Sequence, residues 1–198
     1  VDPRFNRTAA VADLYARIGA GSDTLFLLGV IRYLLENDRA QYDYVRHYTN
    51  ARLIIRDDYQ FNDGLFSGYD YKKSQYDKSS WFYQLDEQGN ALRDDTLSHP
   101  RCVWNLLKAH VERYTPEMVN RLCGTSVADF HRICEILAST CVPDRTATIL
   151  YALGWTHHSN GAQIIRAAAM LQLLLGNIGM AGGGVNALRG HSNIQGYT

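Results

Sequence analysis

The C-terminal third of the chain contains the feature that most restricts its fold, a β-branched run followed by a polar loop and a long apolar helix. Residues 146–152 are short, apolar and β-branched, which predicts a buried strand that Gly154 ends. Asn160 then opens a helix, and Gly176 occupies the position of a helix stop. A strand, a loop and a helix in this order predict an α/β fold, in which ligands bind at the carboxyl ends of the strands.

The helix leads into a glycine-rich segment. Six of the 16 glycines of the chain lie between residues 176 and 190. Such density is typical of backbone that approaches a ligand closely with free N–H groups, and an anion-binding loop is one interpretation; a flexible connector is the other. A dinucleotide-binding fingerprint is excluded, because the segment follows a helix and no G-x-G-x-x-G opens a new one.

Two adjacent histidines, His157 and His158, lie in the polar loop 154–161. At a strand-to-helix junction they could donate hydrogen bonds to a phosphate or a heterocycle. Adjacent side chains rarely chelate one metal ion, so a metal site is disfavoured. The alternative is that these loop residues only cap the helix that begins near Asn160.

The N-terminal region predicts a strand end, a turn and two helices. Residues 1–5 are typical of a strand that passes into a turn, because Pro3 lacks an N–H. Thr8 could cap a helix over residues 9–18. After the break at 19–23, a second helix runs to about residue 37, with Ser22 or Asp23 as its N-cap.

The middle of the chain divides into an irregular part and a helical part. Residues 49–100 are polar and aromatic without a helical or strand period, apart from a possible short strand at 52–55. We expect their rings to be packing anchors, and they indicate no particular chemistry. A helix is predicted over 103–114. The signals for the two helices after it are Thr115 as N-cap before Pro116, Gly124 as a stop, and Thr125 or Ser126 as the next cap.

Composition excludes several classes of function. Twenty Lys and Arg balance 20 Asp and Glu, so no basic excess is available for nucleic-acid phosphates. The longest apolar run, residues 25–31, is far shorter than the ~20 residues of a membrane span. None of the four cysteines has C-x-x-C spacing. The chain begins with Val1 and shows no targeting segment, so we expect an internal part of a longer polypeptide.

Several segments together resemble one enzyme family. The run 154–196 resembles the molybdopterin oxidoreductases, and its ending, 186–196 (NALRGHSNIQG), resembles their formate dehydrogenase branch. Residues 1–8 and 21–23 are similar to the guanosine-binding turns of the family. The segments 63–70 (DGLFSGYD) and 99–104 (HPRCVW) resemble the large subunit of membrane-associated, periplasm-facing formate dehydrogenases.

The resemblance implies a fold and a set of partners. The fold would be part of a Rossmann-like parallel-sheet domain, with an α/β core at 1–48 and 144–198 and a helical and irregular insertion at 49–143, all within one partial domain. The cofactor would be a molybdenum or tungsten ion held by two pyranopterin guanine dinucleotides. The partners would be formate, an iron–sulfur electron-transfer subunit and a membrane cytochrome b subunit, and the location would be the periplasm.

The resemblance also implies roles for individual residues. Arg189 would grip the formate carboxylate by two parallel hydrogen bonds, although a structural ion pair is the alternative. Asp2 or Asp23 would accept hydrogen bonds from the guanine N–H groups. The implied cofactor-binding residues are Asp2, Arg4, Gly21, Ser22, Asp23, Gly154, Thr156, His158, Gly183, Gly184, Gly190, His191, Asn193 and Gln195.

Parts of the family pattern are not in this sequence. The cysteine or selenocysteine that ligates the metal, the histidine after it and the N-terminal 4Fe–4S cluster have no counterpart among the 198 residues. We therefore expect that the chain alone does not oxidise formate. Two other functions stay open, namely a molybdopterin oxidoreductase for nitrate or another oxyanion, and a non-catalytic module. The sequence Arg189-Gly-His191 favours formate.

Overall fold

The computed structural model describes residues 1–62 and 64–191, which form eight α-helices and six short β-strands. The helices are α1 (Arg7–Ala10), α2 (Asp23–Glu36), α3 (Tyr42–Tyr48), α4 (Val103–Val111), α5 (Pro116–Cys123), α6 (Val127–Ala138), α7 (Leu153–Thr156) and α8 (Gly161–Leu174). The strands are β1 (Phe61–Asn62), β2 (Leu65–Phe66), β3 (Tyr69–Asp70), β4 (Gln75–Tyr76), β5 (Thr148–Tyr151) and β6 (Gly184–Ala187). The expected α/β class is confirmed, because helices combine with a parallel strand pair.

The described residues fall into two compact units. The first unit comprises Val1–Val45 together with the described residues from Val111 onward, and the second unit comprises Arg46–His110. The predicted division into a core and an insertion within one partial domain stays a prediction.

Helix packing forms the core of the first unit. Helix α2 packs against α8 and also contacts α5 and α6. At Gly29 of α2 a Cβ atom would lie 2.7 Å from Val119 Cγ2, so the absence of a side chain lets α2 approach α5 closely. The fully buried side chains at the centre of this core include Val30, Ile31, Leu34, Phe130, Ile164 and Leu171.

The strands β5 and β6 pair in parallel, from Thr148 opposite Gly184 to Tyr151 opposite Ala187. The crossover between them contains α7 and α8, as a parallel connection requires. Two sequence expectations about β5 are wrong. The strand is not buried, since Leu150 is 58% exposed, because successive side chains point to opposite faces and only Ile149 and Tyr151 are partly covered. It also ends at Tyr151, and Gly154 lies inside α7.

The predicted helix over 9–18 is the largest error in the first unit. Helix α1 covers only Arg7–Ala10, and its N-cap is Asn6, whose Oδ1 accepts a hydrogen bond from Ala9 N at 2.9 Å. Further along, the backbone at 16–17 is extended, because it pairs with Asp2 through an Asp2 N to Ala16 O bond of 3.2 Å. This long-range pairing overrides the local helical pattern.

The predicted caps of the later helices are confirmed. Thr115 accepts a hydrogen bond from Met118 N, Pro116 opens α5, and Gly124 ends it at a φ of 72°. Ser126 caps α6 by accepting a hydrogen bond from Asp129 N. Helix α4 ends at Val111, three residues before its predicted end.

The second unit contains little regular structure. It has two separate antiparallel hairpins, β1–β2 and β3–β4, and several isolated β-bridges. The predicted strand at 52–55 consists of such bridges at Leu53, Ile54 and Ile55. The aromatic rings pack against one another, as expected: Phe66 lies 5.1 Å from Phe61 and 5.2 Å from Trp81 between ring centroids. No helix in the described part of the chain is long and apolar enough to cross a membrane.

Candidate functional site

The carboxyl ends of β5 and β6 lie side by side, since the strands run parallel in register. Leu188 N donates a hydrogen bond of 2.7 Å to Tyr151 O, which extends the pairing one residue beyond β6. Arg189 follows directly and its side chain is exposed. The chain therefore places Arg189 at the same sheet edge as the segment after β5, where parallel sheets bind their ligands.

Trp155 connects that edge to the N-terminus of α2. Its indole stacks on Tyr151, with ring centroids 5.2 Å apart and an interplanar angle of 19°. Its Nε1–H donates a hydrogen bond of 2.9 Å to Asp23 Oδ1. Asp23 is thus held against the loop that follows β5, 132 residues away in sequence.

His158 lies beside Gly21. A Cβ atom at Gly21 would lie 3.5 Å from His158 Cδ2, and Gly21 itself has a φ of 84°, which only glycine adopts without strain. Two of the segments that the resemblance singled out, 21–23 and 154–158, therefore meet in the structure. Gly161, the first residue of α8, lies close to the same loop, since a Cβ atom at Gly161 would lie 2.5 Å from Trp155 O.

The end of α5 positions the turn that contains Gly21. Gly19 N donates to Cys123 O at 2.6 Å, and Cys123 Sγ donates to Ser22 O at 3.7 Å. Burial raises the pKa of the Cys123 thiol, so the group keeps the proton that it donates. Within the turn, Ser22 Oγ donates to Gly19 O at 2.6 Å instead of capping α2.

Asp2 and Arg4 occupy a different environment. The Asp2 carboxylate accepts hydrogen bonds from Arg4 N at 2.8 Å and from Asn6 Nδ2 at 3.3 Å, while Tyr15 donates to the Asp2 backbone oxygen at 3.0 Å. Among the residues that the structure describes, no hydrogen bond joins Asp2 or Arg4 to the turn at 21–23, although the neighbouring Val1 lines the same cavity as Asp23. The implied shared guanosine site of these residues stays a prediction.

The glycine-rich segment is folded rather than a loose connector. Gly183 N donates to Met180 O at 3.0 Å, and β6 begins at the next residue. A Cβ atom at Gly183 would lie 2.0 Å from Asn177 O, so this glycine is required by contact within the chain itself. Gly184 has a φ of 103°, whereas the space beside Gly190 is open within 4 Å.

Asp23 and Trp155 line a mainly apolar cavity of about 360 Å³, and Asp23 is the one acidic side chain among its described lining residues. The lining also includes Val1, Phe26, Ile136, Leu150 and Leu171. A carboxylate at the margin of an apolar cavity suits a ligand with both a flat apolar face and N–H donors.

The remaining predicted residues vary in position. Gly154 and Thr156 lie in α7 and are exposed, and His191 is exposed two residues after Arg189. Asn193 and Gln195, and Asp63 of the segment 63–70, lie outside the described residues.

The cysteines do not form a metal centre in the described part of the chain. Cys102, Cys123 and Cys134 are buried free thiols, and Cys141 is partly buried. Burial raises the pKa of Cys134 to about 12, so its thiolate form is suppressed at neutral pH. Within the described ranges, no group of three or more His, Cys, Asp or Glu side chains could hold a metal ion.

Sequence reasoning missed three residues of this region. Trp155 holds Asp23, and an indole N–H in a loop after a strand is a signal that could have been noticed. Thr24 Oγ1, in the first turn of α2, is buried and has no hydrogen-bond partner among the described residues. Gln172 is completely buried on the apolar face of α8, and a polar residue in such a stripe is a further readable signal.

Comparison with known proteins finds relatives that align with the whole chain. No family model matches. All 198 residues align with the nitrate-inducible formate dehydrogenase major subunit of Escherichia coli K12 at 70% identity, over 20% of that protein. They align at 65% identity with the formate dehydrogenase-O major subunit of the same organism, over 20% of its length. The formate dehydrogenase major subunit of Haemophilus influenzae is 62% identical over all 198 residues and 19% of its own length.

The identities of 62–70% extend along the entire chain, which spans about a fifth of the length of these curated relatives. The chain is therefore similar along its whole length to part of the formate dehydrogenase major subunits.

Proposed function

We propose that this chain is part of the catalytic subunit of a formate dehydrogenase, which oxidises formate to carbon dioxide, a proton and two electrons. The observation that carries the proposal is the 62–70% identity of all 198 residues with formate dehydrogenase major subunits. In the subunit, the chain would bind part of the cofactor and orient the substrate. The 198 residues alone would not turn over formate.

A molybdenum or tungsten ion held by two pyranopterin guanine dinucleotides would accept the two electrons. The N-terminus of α2 fits a nucleotide of this kind. Its N-cap position has no side-chain hydrogen bond, and Thr24 Oγ1 next to it is buried and unpartnered among the described residues. The amides of the first helical turn and this hydroxyl could donate to a phosphate or a ribose.

Asp23 supplies the acceptor that a guanine base requires. The hydrogen bond from Trp155 Nε1 to Asp23 Oδ1 fixes the orientation of the carboxylate and uses only one of its lone pairs. The remaining lone pairs of Asp23 could accept hydrogen bonds from guanine N–H groups. His158 beside Gly21, together with Gly154 and Thr156 of α7, would contact the pterin or phosphate path. Gly183, Gly184, Gly190, His191, Asn193 and Gln195 would continue this path around Arg189.

Arg189 would bind the formate carboxylate. An arginine guanidinium presents two parallel N–H groups that match the two oxygens of a carboxylate. The pairing of β6 with β5, extended by the bond from Leu188 N to Tyr151 O, supports a fixed position for the backbone that carries it. Arg189 would thus orient formate and stabilise its charge.

The partners and the location extend the same proposal. The relatives are named major subunits, which supports smaller partner subunits for this protein as well. We infer an iron–sulfur subunit as the electron acceptor, a cytochrome b subunit at the membrane, a 4Fe–4S cluster in the rest of the catalytic subunit, and a periplasmic location.

The test compares full-length holoenzymes that are purified anaerobically, with formate-dependent reduction of an artificial dye as the assay. Arg189→Lys should lower kcat/KM for formate by about 100-fold, because a lysine cannot reproduce the two parallel bonds. Arg166→Lys is the matched control, since Arg166 is exposed on α8. Full activity of Arg189→Lys would refute the role of Arg189. A metal-loaded wild type without formate activity would refute the proposed reaction.

A further inference from the structure

Gln172 is the most deeply buried polar side chain close to the glycine-rich segment. It lies in the last turn of α8 and is 0% exposed, between buried Leu171 and Leu174. An unbonded amide in such a place would cost free energy, so its bonding pattern indicates why it is tolerated there.

The amide of Gln172 binds both strands of the parallel pair. Its Nε2 donates hydrogen bonds of 3.0 Å to Ala147 O, directly before β5, and of 3.0 Å to Gly184 O, the first residue of β6. One side chain of α8 thus uses both of its N–H groups to tie the starting ends of the two strands together.

The other end of the amide holds the segment that precedes β6. Gln172 Oε1 accepts a hydrogen bond of 2.7 Å from Asn177 Nδ2, and Asn177 N donates to Gln172 O at 2.9 Å. Asn177 is 1% exposed, and its backbone oxygen would lie 2.0 Å from a Cβ atom at Gly183. We call Gln172 together with Asn177 the amide clamp. It fixes the chain on both sides of the entry to β6.

The position of Arg189 follows from that of Gly184. The chain between them is extended and paired to β5 through Ala187, with Leu188 N bonded to Tyr151 O. Paired strand backbone is stiff, so a shift of Gly184 would also shift the residues after it, including Arg189. A slip of β6 by one residue would turn each of its side chains to the opposite face of the sheet.

We propose that Gln172 is a positioning residue of the reaction, which acts through β6 to place Arg189 for the formate carboxylate. This inference rests on the proposed function. Gln172 would touch neither the substrate nor the reacting atoms. It would fix the register of β6, the strand that leads to Arg189, relative to β5.

The first test is a double-mutant cycle on the full-length holoenzyme. Gln172→Met keeps the volume and removes all three hydrogen bonds, and it should lower kcat/KM for formate by about tenfold or more, since small misplacements of a binding group are costly. In the Arg189→Lys background the same change should have less than about a twofold effect, because the group it positions is already lost. An equal loss in both backgrounds would overturn the proposal.

The second test does not depend on activity. Hydrogen exchange of the holoenzyme, followed by mass spectrometry of peptides that cover 184–188, should be faster in Gln172→Met. The control is Ile164→Val, which trims a buried side chain of the same helix that is not part of the clamp. Unchanged exchange at 184–188, or an equal change in the control, would contradict the inference.

A milder variant covers the case in which Gln172→Met does not fold. Gln172→Asn keeps the amide but shortens it by one methylene, so it cannot reach both carbonyl oxygens, and it should show the same non-additivity with Arg189→Lys to a smaller degree. If the wild type does not oxidise formate, the proposed function fails, while the exchange experiment still decides whether the clamp holds β6.

Discussion

The two units of the protein are ordered by different interactions. In the first unit, buried apolar side chains of α2, α5, α6 and α8 pack together. In the second unit, acidic side chains bind the backbone of their own loops. Four aspartates accept a hydrogen bond from the N–H two residues later: Asp70 from Lys72, Asp77 from Ser79, Asp86 from Gln88 and Asp94 from Thr96, all at 2.8–2.9 Å.

The difference explains how a region without regular structure can be well defined. Hydrogen bonds between a carboxylate and nearby N–H groups replace the repeating bonds of helices and sheets. These hydrogen bonds are local and partly exposed, whereas the packing of the first unit joins residues that are distant in sequence and buried. We therefore expect the two units to respond differently to core truncation, to loss of a carboxylate and to acid.

The largest expected effect is in the core of the first unit. Phe130 is 0% exposed and lies edge-on to Phe26, with ring centroids 5.5 Å apart. Phe130→Ala should lower the free energy of unfolding by about 3–5 kcal/mol, measured by urea denaturation, because it leaves a cavity. Phe82 of the second unit is 61% exposed, and Phe82→Ala should cost less than about 0.5 kcal/mol. Equal losses would remove the contrast.

A smaller effect is expected from the Asp94 loop. The Asp94 carboxylate accepts hydrogen bonds from Thr96 N at 2.9 Å, Ser98 N at 2.7 Å and His99 N at 2.5 Å. The loop closed by these bonds contains Leu97, which is buried and has a φ of 58°. Asp94→Ala should lower the free energy of unfolding by about 1–2 kcal/mol, as loss of a capping carboxylate does.

The adjacent residue provides the control for Asp94. The Asp95 carboxylate is exposed and bonds only one described partner, Arg52, at 2.6 Å. Asp95→Ala should cost less than about 1 kcal/mol, since exposed ion pairs contribute little. A loss for Asp95→Ala as large as that for Asp94→Ala would contradict the assigned role of the backbone bonds.

The smallest effect is a dependence on pH. The hydrogen bond from the Thr96 hydroxyl, with that from His99 N, holds the pKa of Asp94 well below its usual range. The contribution of this carboxylate is complete above the unfolded pKa of about 3.9 and is lost as the pH falls toward the lower folded pKa. Between about pH 5 and pH 3, the wild type should lose more stability than Asp94→Asn in urea denaturation. Phe82→Ala, which removes no ionisable group, should keep the wild-type slope.

The sequence was sufficient wherever a structure depends on neighbouring residues. The ends of α5 were predicted correctly from Thr115, Pro116 and Gly124, because helix capping depends only on residues close in sequence. The helix over 9–18 was wrong because Asp2 pairs with 16–17, and a one-dimensional pattern does not contain that contact. For the same reason β5 could not be recognised as half exposed.

The candidate site divides in the same way. The resemblance pointed to 21–23 and to 154–158 separately, and the structure shows that they meet through Gly21 with His158 and Asp23 with Trp155. Their proximity depends on the packing of α2 against α8, which no local motif encodes. The roles of the individual residues at the cofactor and at formate remain predictions.

The parallel pairing of β5 and β6 has a consequence for the order of folding. Thr148 and Gly184 meet across 36 residues of chain, so closing this loop carries an entropic cost that neither strand can offset alone. Helix α8 lies between the two strands in sequence. We expect that α8 docks against α2 before β6 pairs with β5. The strand that carries Arg189 should therefore be among the last parts of the first unit to form, and newly made chains should protect the amides of α8 from exchange before those of β6.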